Sequence, residues 1–159
     1  MRKTVIAALI LAALPAASFA MDEHTALRPD ALKWGAAPAA FPPGSEVAVL
    51  AGDPSKDGSA YVVRIRTPAG YTVPPHTHPA DENITVVSGT LHVAMGGKLD
   101  RTKGEALPVG AYIHMAKDTP HYAWSPAAAI IQIHGIGPMA ITYVDPADDP
   151  RNKATTGTK

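Results

Sequence analysis

Between Glu46 and Val144 the chain alternates short runs of β-branched and aromatic residues with clusters of Gly, Pro, Asp and Ser. Within the runs polar and apolar positions alternate with a period of two, the pattern of a strand with one face on a core. In the segment IIQIH, for instance, Gln132 and His134 share one face while Ile131 and Ile133 take the other. The spacing predicts strands over Glu46 to Leu50, Tyr61 to Thr67, Tyr71 to His78, Asn83 to Val87 and Thr90 to Met95. It predicts further strands over Ala111 to Met115, Tyr122 to Trp124, Ile130 to His134 and Met139 to Val144. Gly52 to Ser59 reads as a polar turn. Many short strands separated by turn residues give an all-β sandwich or barrel.

Composition agrees with that reading and sets its limits. Sixteen prolines and thirteen glycines cut the sequence into segments too short for long helices. Residues 21–44, with Pro29, Pro38, Pro42, Pro43 and Gly44 around one helical turn near Ala31 to Trp34, read as an N-terminal arm, and residues 148–159 as a flexible tail. At the start, Arg2 and Lys3 precede an apolar run from Val5 to Leu14, then Pro15 and the small-residue stretch to Ala20. That order is a signal peptide, with cleavage expected after Ala20 and a periplasmic or secreted product. The run is well short of the roughly 20 residues that span a bilayer, so no stable membrane span is expected. Fourteen basic residues balance fourteen acidic ones, leaving no field that would gather nucleic acid. Without cysteine, any metal must be held by nitrogen and oxygen.

The chemistry concentrates in Gly70-Tyr-Thr-Val-Pro-Pro-His76-Thr-His78-Pro-Ala-Asp-Glu82. In an extended strand His76 and His78 point the same way, and Glu82 shares their parity beyond a break at Pro79. A lone His-x-His pair occurs by chance on exposed strands, and Asp81 beside Glu82 is a rival carboxylate of opposite parity. His121, which follows a turn and opens a short aromatic strand, is the candidate fourth ligand. Two or three imidazoles with one carboxylate suit a single divalent ion: iron, manganese, nickel, cobalt or zinc.

Gly70, His76, His78, Glu82 and Gly89 occupy every fixed position of the first motif of the cupin superfamily, which the chain resembles. In the second motif Gly110 and His121 keep their places, while Ala116, Asp118 and Ser125 stand where the family has proline, glycine and asparagine. Asp118 can still take the left-handed conformation that such a turn requires. The strings VVSGTLHVAMG and IIQIHGIGPMAITYVDPADDP also resemble those of small exported bacterial cupins.

The resemblance implies a jelly-roll, or double-stranded β-helix, barrel over residues 45–147 with the metal inside, held by His76, His78, Glu82 and His121. It implies a metal-dependent enzyme acting on a small organic acid or phenolic, of the dioxygenase, decarboxylase, isomerase or lyase kind, with Glu82 able to act as a base. The alternative is a non-catalytic metal- or ligand-binding domain; a homodimer is compatible with either. Gln132 and His134, with Tyr112 and Trp124, are the candidate pocket walls. Arg64 and Arg66 could clamp an anion, although two arginines two apart also describe an ordinary wet face. His92 and His114 fall in strands as outward or hydrogen-bonded residues, and His24 in the arm.

Overall fold

The computed structural model describes residues 25–153, so the expected signal peptide and His24 lie outside the described residues. Eleven strands form two antiparallel sheets. The first has the order β1 (Gly35–Ala36), β2 (Glu46–Gly52), β3 (Ala60–Thr67), β10 (Ala129–Ile136), β5 (Glu82–Ser88) and β8 (Tyr112–Met115). The second runs β11 (Thr142–Tyr143), β4 (Tyr71–Thr77), β9 (His121–Ser125), β6 (Leu91–Met95) and β7 (Glu105–Leu107). Both expectations of all-β structure and jelly-roll pairing hold, with one correction: hydrogen bonding does not close the two sheets into a continuous barrel. They pack face to face as a sandwich.

Period-two alternation explains how they meet. In β3, Tyr61, Val63 and Ile65 are buried while the intervening residues are not. Ile84 and Val86 of β5, Ile133 of β10, Leu91 and Val93 of β6 and Met115 of β8 complete the same core. Burial of such side chains stabilises by roughly 1.5–3 kcal/mol each relative to exposure. Register carries this parity across the sheet, because Ile133 sits opposite both Val63 and Ile84. Glu82 shares the inward parity of Ile84 and Val86, so the same pattern that builds the core aims its carboxylate inside.

Several boundaries differ from the sequence reading. The expected strand from Met139 to Val144 shrinks to two residues, and β1 and β7, too short for a period to register, were not anticipated. The helical turn of the arm is a 3₁₀ turn over Pro29–Ala31. The arm is tied down by tyrosines: Tyr71 Oη donates to Pro42 O at 2.7 Å and Tyr143 Oη to Ala40 O at 2.7 Å. The expected tail begins with structure, since α1 spans Pro150–Lys153 and Arg151 pairs with Asp149. No helix among the described residues is long and apolar enough to cross a membrane.

The turn between β5 and β6 depends on Gly89, where φ is +75° and an added Cβ would lie 2.6 Å from Ala128 O. Gly110 also has positive φ, at +86°, but faces open space. Gly110→Ala is therefore expected to cost about 1 kcal/mol from backbone strain alone, and Gly89→Ala about 3 kcal/mol because a backbone overlap is added. Urea unfolding midpoints of the two variants check the difference; equal losses would contradict it.

Candidate metal centre

Three histidines from neighbouring strand positions meet inside the sandwich. His76 near the end of β4 and His121 at the start of β9 are register partners, and the β4 to β9 pairing is irregular between Val73 and His76. Pro74 and Pro75 occupy that irregular stretch; proline has no N–H for the ladder, so the strand yields there. His78 lies just past the end of β4. One ligand atom from each of the three lies within 4.8 Å of the others. At ligand distances of about 2.0–2.1 Å, a common ion needs only a slight closing of that trio. His76 and His121 are 4% and 2% exposed, so the group is sheltered from bulk water.

Each ring is oriented by a backbone carbonyl. Nδ1 of His76 lies 2.7 Å from Pro74 O, that of His78 2.7 Å from Ala140 O, and that of His121 2.9 Å from Thr119 O. A carbonyl oxygen only accepts, so in each ring Nδ1 carries the proton and Nε2 presents a bare lone pair. Two consequences follow inside the site. Nε2 of His78 is buried without any hydrogen-bond partner. Glu82 Oε2 stands 3.4 Å from that atom and 3.6 Å from His121 Nε2, so an anionic acceptor faces two further acceptors. Groups of this kind repel unless a cation sits among them, and a cation fits the donor set of three imidazoles and one carboxylate.

The loops that frame the site are built for this placement. Asp118 has φ 59°, the left-handed region expected for it in place of the glycine, and its N–H donates to His78 O at 2.9 Å. Asp81, the rival carboxylate, points outward: it accepts from the Lys117 N–H at 2.9 Å and pairs with the exposed His114. Of the two neighbouring acids, only Glu82 faces the histidines.

A small cavity of about 50 Å³ lies beside the centre between the sheets. Its walls include Ile65, Ile84, Leu91, Ile131 and Ile133, with Phe41 from the arm. This corrects the candidate pocket. Gln132 and His134 lie on the opposite face of β10, where Gln132 accepts from Arg64 Nε at 3.1 Å and His134 is exposed. Tyr112 is 55% exposed on β8 and donates to Asn83. Trp124 does contribute to the wall, while its ring stacks on His92 with centroids 4.9 Å apart. The isoleucine face of IIQIH, set aside in favour of the polar one, is the face that meets the cavity. Arg66 pairs with Glu46 at 2.8 Å and lies over the Trp34 ring, so neither arginine enters the site.

A model of the ChrR cupin-like domain matches residues 22–140. The chain belongs to that cupin family. Solved structures of other proteins agree in fold. The polyketide cyclase RemF from Streptomyces resistomycificus superposes with a TM-score of 0.62 at 15% identity, covering 84% of this chain and 94% of that chain. A candidate acetylacetone dioxygenase from Methylibium petroleiphilum PM1 gives 0.61 at 21%, covering 82% and 88%. The DMSP lyase DddQ from Ruegeria pomeroyi DSS-3 gives 0.54 at 20%, covering 72% of this cupin and 61% of the lyase. No curated protein matches by sequence.

Burial and the neighbouring rings leave a signature in the pH dependence of the metal-free cupin. Burial first, then the charges of His121 and His78, push the His76 imidazole down to about 3, against the opposing pull of Pro74 O and Glu82. For Glu82, burial works to raise the carboxyl, but the contact with His121 and the positive charge of the nearby imidazoles when protonated bring it below the usual range. Both groups then bind fewer protons folded than unfolded, so stability rises with pH. For His76 the loss begins as pH falls through the ordinary 6.5 and continues towards 3. Denaturant titrations of metal-free protein are expected to give an unfolding constant larger by about tenfold or more at pH 5 than at pH 7, and a His76→Gln variant should flatten that slope.

Proposed function

We propose that this cupin is a periplasmic or secreted metal-dependent enzyme that binds one divalent ion through His76, His78, Glu82 and His121 and acts on a small oxygen-bearing organic molecule. The observation that carries the reading is the buried Nε2 of His78, left without a partner while its Nδ1 is pinned to Ala140 O. An orphaned acceptor of this kind costs roughly 1–3 kcal/mol, and the Nδ1 contact with a carbonyl, though not the orphaned atom, recurs in the rings of His76 and His121. Carbonyl anchors that set ring orientation and raise basicity are the usual support of metal-ligating histidines.

A divalent ion bound here would supply Lewis acidity towards an oxygen of the ligand. The protein would supply the rest. His76 and His121, almost wholly buried, and the isoleucine walls keep water from the reacting end. The low dielectric strengthens every charge interaction in the cavity. Glu82 is the one carboxylate in the cavity wall among the described residues, and its Oε atoms can take a proton from a ligand C–H or O–H and return it. The left-handed Asp118 keeps the loop that carries His121 in shape despite the altered second motif, which supports a retained active site rather than a relaxed one.

Metal analysis of untagged protein is expected to give one ion per chain, and alanine at His76, His78 or His121 to weaken binding by at least about tenfold. Unchanged affinity in these variants would overturn the ligand assignment. If the loaded protein binds small oxygen ligands but turns none over, the non-catalytic binding reading takes its place. Export is tested separately: N-terminal sequencing of the secreted form should begin at Met21, and a mature chain beginning at Met1 would refute cleavage.

A further inference from the structure

The shape and charge of the cavity narrow the ligand, given the metal reading above. Its wall runs from the histidines at one end to Thr67 and Ser125 at the other. His121 and Ser125 bracket β9, four residues apart, which at strand rise is about 13 Å. The space that these walls enclose is small, about 50 Å³. An apolar cavity of roughly 150 Å³ binds benzene, and a space about a third of that size does not take a ring without prising the sheets apart. A tail of only a few carbons does.

Charge decides the far end. No lysine or arginine lines the cavity among the described residues. Arg64 and Arg66 are engaged on the outer face of the first sheet, and Arg101 donates to Thr72 Oγ1 at 2.8 Å. A second carboxylate buried there would have no counter-ion and would pay a heavy desolvation cost. The hydroxyls at that end are already paired: Thr67 Oγ1 and Ser125 Oγ lie 2.9 Å apart, and Tyr71 Oη donates to Pro42 O. An apolar tail therefore orphans no polar group.

We propose that the site takes a short aliphatic molecule with oxygen donors at the metal end and a small uncharged tail lying between the sheets towards Ser125. Aromatic compounds and diacids are excluded, the first by size and the second by charge. Ala123, on the inner face of β9 midway between His121 and Ser125, borders the tail.

The test uses the full chain loaded with Co²⁺, whose absorption reports ligands entering at the ion. Butyrohydroxamate, benzohydroxamate and the monohydroxamate of succinic acid share one chelating head and differ only in the tail. Butyrohydroxamate is expected to bind at least about tenfold tighter than either of the others. Equal or tighter binding of the aromatic or anionic probe, or no binding of any probe to a Co²⁺-loaded protein, overturns the proposal. Ala123→Leu narrows the cavity and should weaken butyrohydroxamate by about tenfold while one Co²⁺ per chain is retained; undiminished affinity in that variant also overturns it. The wild-type series decides alone should the variant fail to hold Co²⁺. Failure of wild-type protein to bind Co²⁺ defeats the metal reading itself, whereas a flat hydroxamate series on Co²⁺-loaded protein defeats only the tail assignment.

Discussion

Three backbone carbonyls decide what the centre of this cupin can be. By accepting the Nδ1 protons of His76, His78 and His121, the carbonyls of Pro74, Ala140 and Thr119 turn three bare Nε2 atoms towards one another and towards Glu82. Four acceptors in a dry interior are unfavourable together unless something positive joins them. The rest of the local structure follows from holding that arrangement. The prolines of β4 loosen its pairing so that His76 meets His121, Asp118 bends left-handed to bind His78 O, and the segment after β10 supplies Ala140 O.

The same sandwich separates two chemistries by parity. Inward positions of β3, β5 and β10 carry Ile65, Ile84, Ile131 and Ile133, which wall the cavity. Outward positions carry Arg64, Gln132, Asn83 and Tyr112, which bond among themselves at the surface. A one-residue slip in any of these strands would exchange the two sets. The small apolar cavity beside the carboxylate and imidazoles is thus a product of register as much as of composition.

The residues of the candidate metal centre were legible because their signal is local. His76 and His78 sit two apart, and Glu82 has the parity of the pair, so strand geometry alone aims them together. The turn chemistry of Asp118 was legible for a similar reason, since few residues besides glycine tolerate positive φ. The pocket was not legible. The alternation in IIQIH divides Ile131 and Ile133 from Gln132 and His134, but a period of two does not say which face turns inward. That choice depended on Val63 and Ile84 in the flanking strands, 70 and 49 positions from Ile133 along the chain. The polar face looked like a binding wall; it is the apolar face that lines the cavity.

Sequence by itself determined the all-β architecture, the jelly-roll family and the candidate set of three histidines and a glutamate, because alternation, turn residues and motif spacing are all short-range properties of the chain. Tertiary structure decided the rest. It replaced a closed barrel with two facing sheets, pinned the arm through Tyr71 and Tyr143, chose the inward face of β10 and selected the carbonyls that orient each imidazole. Every residue carries a carbonyl, so no side-chain pattern marks Pro74, Thr119 or Ala140 for that role. Only the folded backbone brings them to within a hydrogen bond of the rings, and that bond leaves each Nε2 free to face the centre.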